Sequence, residues 1–98
     1  ADLGQSSLVS GLPAISITMQ GRAIDADALG NAYVVSRLDA GGVQLDRLVF
    51  GASVVEATDA RTIAATGDYP GVAALPSNDG AVVVYSAGGA VYAGVEVY

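Results

Sequence analysis

Carboxylates are the groups in this chain with enough members and close enough spacing to do chemistry. Asp25 and Asp27 stand one residue apart in "AIDADALGNAYVV", ahead of Gly30-Asn31 and an apolar run. A helix-loop-helix calcium site needs oxygen ligands at its first, third and fifth positions, glycine at the sixth and a bidentate glutamate at the twelfth. Counted from Asp25, the third position is Asp27 and the sixth is Gly30, but the fifth is Leu29 and the twelfth is Ser36. The competing reading asks only that Gly30-Asn31 supply the positive backbone angles of a tight turn between Ala23-Ile24 and Ala32-Tyr33-Val34-Val35. The turn is the better fit, and any calcium here would leave most of its coordination shell to water.

Asp25 with Asp27, and Asp39 with Asp46, also have the composition of an acid/base pair for glycoside hydrolysis. A short chain built from small side chains gives little depth for a cleft that would shift carboxylate pKa values, so solvated turn aspartates are the simpler reading. Histidine, cysteine and lysine are all missing. Serine and threonine therefore lack the usual bases, and metal sites lose their commonest nitrogen and sulfur ligands. "DAGG" and "SAGG" do not have the spacing of a phosphate loop or a dinucleotide fingerprint, and both lie between strand-like runs. No catalytic residue, cofactor or metal is expected.

Contact chemistry is better represented. Every cation is an arginine, at positions 22, 37, 47 and 61, and the planar guanidinium suits carboxylate pairing across an interface as well as surface solvation. Tyrosines on a terminal hairpin serve either as cross-strand partners or in the buried middle of an interface. The candidate contact residues are Arg37, Arg47, Tyr69, Tyr92 and Tyr98, with Leu3, Leu8, Val9 and Leu12 from the amino-terminal stretch.

The elements that would position them are strands. Residues 1 to 13, "ADLGQSSLVSGLP", read as an extended arm, and residues 14 to 98 as one all-β domain. In "AISITMQ" Ile15, Ile17 and Met19 alternate with polar residues at the two-residue period of a half-buried strand. "AYVVSRL" follows the first turn, and Asp39-Ala40-Gly41-Gly42 makes a second. "VQLDRLVF" fits a strand in its first half, since Gly51 weakens the helical alternative by about 1 kcal/mol. Val54-Val55, Thr62 to Ala65 and Val72 to Leu75 are short strand candidates. "AVVVY" and "AVYAGVEVY" form a hairpin around Gly88-Gly89, with Val91, Ala93, Val95 and Val97 on one face and the tyrosines on the other, taken as outward. Such a series predicts a small barrel or sandwich of short antiparallel strands. No internal repeat at a fixed period stands out.

Size and charge bound the partners. A chain of 98 residues makes one domain and buries only about 60–65% of its unfolded surface alone. The apolar fraction is 52%, mostly alanine and valine, with one Phe and no Trp. A neighbouring subunit is a natural source of further buried area. The net charge of −6 argues against nucleic acid and anionic membrane, which need a basic stripe. No run approaches the roughly 20 apolar residues of a membrane helix. The chain starts at Ala1 instead of methionine, which points to processing or trimming.

Two resemblances add expectations. "DYPGVAALPSNDGAVVVYSAGGAVYAGVEVY" resembles the small capsid-decoration (cement) proteins of tailed bacteriophages with a β-tulip fold. It does so at Pro70, Gly71-Val72-Ala73, Asn78-Asp79-Gly80, Val82 to Val84 and Gly88-Gly89, over roughly the last half of the chain. "GASVVEATDARTIAATG" is similar to that family's Ala/Thr-rich approach. The resemblance implies a non-catalytic virion protein on the outer capsid surface, often trimeric, that clamps the major capsid protein and uses its arm for strand addition. The longer first half, "LDAGGVQLDRLVF", departs from that pattern. "AIDADALGNAYVVSRLDAGG" resembles one blade element of bacterial β-propeller repeats, with the motif Asp-x-x-Gly-Asn-x-Tyr-Val as a strand–turn–strand. This second likeness implies a self-assembling β-blade or fibre subunit of an extracellular structure.

Overall fold

The computed structural model describes residue 12, residues 21–50 and residues 55–98. Strand "AISITMQ" and the arm apart from Leu12 lie outside the described residues. Seven strands are present: β1 (Arg22–Ala26), β2 (Ala32–Arg37), β3 (Val43–Phe50), β4 (Val55–Ala64), β5 (Asp68–Ala74), β6 (Gly80–Ala87) and β7 (Ala90–Val97). All pairings are antiparallel between chain neighbours, giving one sheet in the order β1-β2-β3-β4 and a second in the order β5-β6-β7. The fold is all-β, with no helix among the described residues, and the sheets stay open and stack as a sandwich instead of closing into a barrel.

Turn chemistry sets the meander. Gly88 and Gly89 have φ of 56° and 81°, which join β6 to β7 as the two-residue hairpin whose twist matches paired strands. Between β1 and β2 the expected Gly30-Asn31 turn takes a different form. Gly30 has φ of 89° and Asn31 is not among the positive-φ residues; the turn runs from Asp27 to Gly30, closed by the Gly30 N–H on the Asp27 carbonyl, with the single glycine taking the left-handed position.

Several strands run longer than their sequence suggests. β3 is a strand throughout, over "VQLDRLVF". Val55 and Thr62 to Ala64, read as parts of separate pieces, belong to one ten-residue β4, Ala65 follows its end, and Val54 lies outside the described residues. The ladder there slips between Leu45↔Arg61 and Arg47↔Thr58, and Asp59 takes φ of 55°. A bulge absorbs the residue that would otherwise break the strand. β5 begins at Asp68 because a further bulge lies between Asp68 and Gly71, with Tyr69 at φ of 53° and Pro70 beside it. A bulge is where a sheet tolerates proline, which donates no ladder hydrogen bond.

The main core lies between the sheets. Tyr33, Val35, Val43 and Leu45 from the front of the first sheet meet Ala81 and Val83 of the second, all fully buried, with Val72, Ala74, Tyr85 and Tyr98 packed around them. A smaller cluster of Ala32, Val34 and Leu48 occupies the rear of the first sheet, with Leu12 and Ala57 against it.

The two sheets stack in the same sense. On β2, Ala32 and Val34 point to the rear while Tyr33 and Val35 point forward to the second sheet. On β6, Ala81 and Val83 point back to the first sheet, so by strand alternation Val82 and Val84 point forward, away from it. "AYVV" and "AVVV" thus hold equivalent places in two successive meanders. A fixed period hides this, because Gly41-Gly42 follows Ala32 by nine residues and Gly88-Gly89 follows Ala81 by seven.

Candidate interaction face

The aspartate pair of the first turn is committed to structure. One Asp27 oxygen, Oδ1, accepts from the Leu29 N–H at 2.9 Å and the Asn31 N–H at 3.0 Å. Its Oδ2 accepts from the Asn31 side-chain amide at 2.9 Å and the Tyr33 hydroxyl at 3.1 Å. Burial works against ionisation of Asp27, but these hydrogen bonds, those from Asn31 foremost, outweigh it and hold its pKa below the ordinary carboxylate value. Asp25 Oδ2 accepts from the Ala74 N–H at 2.7 Å, tying β1 to β5. Asn78, at φ of 62° in the β5–β6 turn, accepts from the Ala28 N–H at 2.9 Å and so binds the two turns together. Among the described residues no three acidic side chains converge as a metal site. The carboxylates that a calcium loop would use serve here as turn and inter-sheet acceptors.

Asp39 and Asp46 are not brought together as a pair. Asp39 is exposed in the β2–β3 turn, whereas Asp46 is buried on the rear of β3 and accepts from the Gln44 amide at 2.9 Å. Burial pushes the Asp46 pKa up, against the Gln44 hydrogen bond and the charge of Arg22.

The arginines hold the sandwich together internally. Arg37 Nε meets Asp68 at 3.0 Å across the sheets and its guanidinium also donates to the Leu38 carbonyl. Arg61 donates to Glu96 at 3.2 Å and to the Val97 carbonyl at 2.7 Å, joining β4 to β7. Arg61 also lies over the Tyr98 ring at 3.9 Å, with Arg47 at 5.2 Å. The Tyr33 ring is 5.8 Å from that of Tyr98. Burial raises the Tyr98 pKa to about 12, and its buried hydroxyl has no hydrogen-bond partner among the described residues.

The hairpin therefore faces the opposite way from the sequence expectation. Tyr85 pairs with Tyr92, Val83 with Gly94 and Ala81 with Glu96, so Tyr92, Gly94, Glu96 and Tyr98 share the face turned toward the first sheet. Tyr92 is half exposed and stacks on Tyr85 with centroids 5.5 Å apart. Alternation fixes two faces but not which is inward; the cation–π and ion-pair partners of Tyr98 and Glu96 come from β3 and β4, which no local pattern identifies. Of the other candidate contact residues, Tyr69 is exposed beside its bulge and Leu12 packs on the rear cluster. Leu3, Leu8 and Val9 lie outside the described residues.

The outward face of the second sheet is apolar. Ala73, Val82 and Val95 line up across its three strands, as do Gly71, Val84 and Ala93. Val84 is 39% exposed, Val91 76%, Val95 60% and Val97 55%, and all of β7 except Glu96 is exposed. None of these face positions carries a charge. β7 is also the edge of its sheet, where unpaired backbone groups invite a further strand. Sequence reasoning passed over these valines because a Val-rich alternation normally marks the buried side of a strand. No cavity opens among the described residues. Comparison with known family models, curated proteins and solved structures finds no match to this chain.

Proposed function

We propose that this chain is a structural subunit that works by packing β-sheet against copies of itself, with no substrate turned over. The observation that carries this reading is the uncharged valine and alanine face of β5-β6-β7, exposed beside an open strand edge. Contiguous apolar patches on a soluble protein mark contact surfaces. The blade resemblance points the same way, since its strand–turn–strand coincides with β1, the Asp27 turn and β2, and a second meander stacks on the front of the first sheet. Native mass measurement with negative-stain imaging of the purified chain tests the proposal: defined oligomers, rings or filaments are expected, and a monomer at every concentration contradicts it.

A second reading, decoration of a phage capsid, is favoured by one observation. In the stretch that resembles cement proteins, Gly71-Val72-Ala73 lies on β5, Asn78-Asp79 in a turn and Val82 to Val84 on β6, and Gly88-Gly89 closes the hairpin. In this case the major capsid protein covers the valine face and the chain sits on the outer surface of the virion. A partner that binds only the folded chain raises its melting temperature. Expanded capsids would then stabilise the chain, and an unchanged melt in their presence would dismiss the capsid as partner.

A further inference from the structure

We infer that the valine face is a twofold contact, in which two copies of the chain pack β5-β6-β7 against β5-β6-β7. This rests on the reading of the chain as an assembly subunit and names the partner of that same face.

The first argument is continuity with the interface inside the chain. Tyr33 and Val35, pointing forward from β2, are covered by the second sheet. Val82 and Val84 hold the equivalent places on β6, yet Val84 is 39% exposed and no described sheet lies over it. The position that takes a sheet in the first meander is open in the second, so a sheet is the shape of cover it fits. Inside the chain that cover is a surface of small apolar residues, Val72, Ala74, Ala81 and Val83. A second copy must supply something similar.

Elimination then selects which surface it supplies. The front of the first sheet is buried under the second, and its rear is closed over β2 and β3, where Ala32, Val34, Ser36 and Asp46 are all buried. The described sheet face that remains open and rich in valine and alanine is the valine face itself. A copy that offers the same patch it covers makes an isologous pair about a twofold axis, which closes at two.

Charge agrees with this arrangement. A chain of net charge −6 repels its copies unless they meet where the acids are not. Glu96 is turned to the inner side with Arg61, and Asp68 is held by Arg37. Face-to-face packing therefore places no carboxylate against a carboxylate at the centre of the contact.

Area sets the strength. Three strands about 4.8 Å apart and about seven residues long at ~3.3 Å each give a footprint of roughly 300–350 Å². Stable pairs bury about 800 Å² per partner, so a dissociation constant between roughly 1 µM and 1 mM is expected.

Sedimentation equilibrium of the purified chain across that concentration range, with Val84→Lys, Val95→Lys and Gly94→Lys, tests the inference. The native chain should form a dimer and stop there. Lysine at 84 or 95 should weaken it at least about tenfold, with the melting curve at low concentration unchanged, because both side chains are partly solvated in the single copy. Lysine at 94 adds the same charge on the inner side, where a new Cβ meets nothing within 4 Å, and should leave the dimer intact. Should one lysine variant fail to fold, the other carries the test. Oligomers larger than two, or equal loss with Gly94→Lys, overturn the twofold contact while leaving the assembly reading in place. A dimer that ignores Val84→Lys does the same, since pairing through the β7 edge spares the middle strand. A chain that stays monomeric throughout overturns both.

Discussion

The first sheet is closed on its front and, over β2 and β3, on its rear, with Ile24 at the β1 edge left exposed; the second is closed on one side. Tyr33, Val35 and Leu45 on the front of β2 and β3, and Ala32 and Val34 on the rear, are buried within a single chain. Val84, Val91, Val95 and Val97 of the second sheet are as apolar as those residues and stand in solvent. Residue type therefore does not separate core from surface here; the presence of a covering layer does. The inner face of the second sheet achieves its cover with aromatic and charged groups, through Tyr98 between Arg47 and Arg61 and Glu96 on Arg61. Its outer face, with Val82, Val84, Ala93 and Val95, has no such groups.

Substitutions sharpen the contrast, beginning with the largest effect. A Cβ at Gly80 would run into the Glu96 carbonyl oxygen and the Val97 backbone of the neighbouring strand. Gly80→Ala should lower stability by about 3 kcal/mol, since overpacking against backbone has no side chain to yield, with chemical denaturation as the readout. Leu45→Ala, which opens a hole between the sheets, should cost a comparable ~3 kcal/mol. A Leu45→Ala protein that melts like the native one would mean that the front of the first sheet is not the core.

Two carboxylates, Asp27 in the β1–β2 turn and Asp46 on β3, should give opposite pH trends. Asp27 has a folded pKa below its ordinary 3.8, so its contribution is present above that value and is lost as pH falls through the folded pKa. Asp27→Asn should flatten the acid side of the stability curve. Asp46 has a raised folded pKa; the folded chain binds this proton more tightly than the unfolded one. Its contribution is full below 3.8 and lost as pH rises through the raised value. Asp46→Asn should keep the Gln44 hydrogen bond, remove that downward trend and stabilise the chain at neutral pH. Melting curves from pH 3 to about 7 decide both, and parallel shifts in the two variants would contradict the assignment.

Smaller effects remain. Tyr98→Phe removes a buried hydroxyl that has no partner among the described residues and keeps the ring between its arginines, so the chain should gain about 1 kcal/mol. Val95→Ala, in dilute monomer, should change stability by under about 0.5 kcal/mol. The contrast between Leu45→Ala and Val95→Ala, two apolar truncations on paired sheets, measures directly how far cover differs between them.

Much of the fold was legible in the sequence. Two-residue alternation and turn glycines marked an all-β chain, the Gly88-Gly89 hairpin and the strand character of "AYVVSRL" because those signals act over a few neighbouring residues. β4 was cut in two because Asp59 reads as a breaker, whereas a positive φ and a bulge keep the strand going. The aspartate cluster was legible as a turn, though not the carboxylate's four hydrogen bonds. What alternation does not carry is which face of β7 is inward. That depends on Arg47 and Arg61, dozens of residues away, and it leaves the valines of β7 on the outer face while Tyr98 is turned inward.

The most direct test of the central claim is amide hydrogen exchange on the native chain at low and at high protein concentration. If the outer face of the second sheet is the contact surface, protection of β5, β6 and β7 rises with concentration while β1 to β4 exchange at the same rates. Protection that is independent of concentration in both sheets, or that rises in the first sheet alone, contradicts the account.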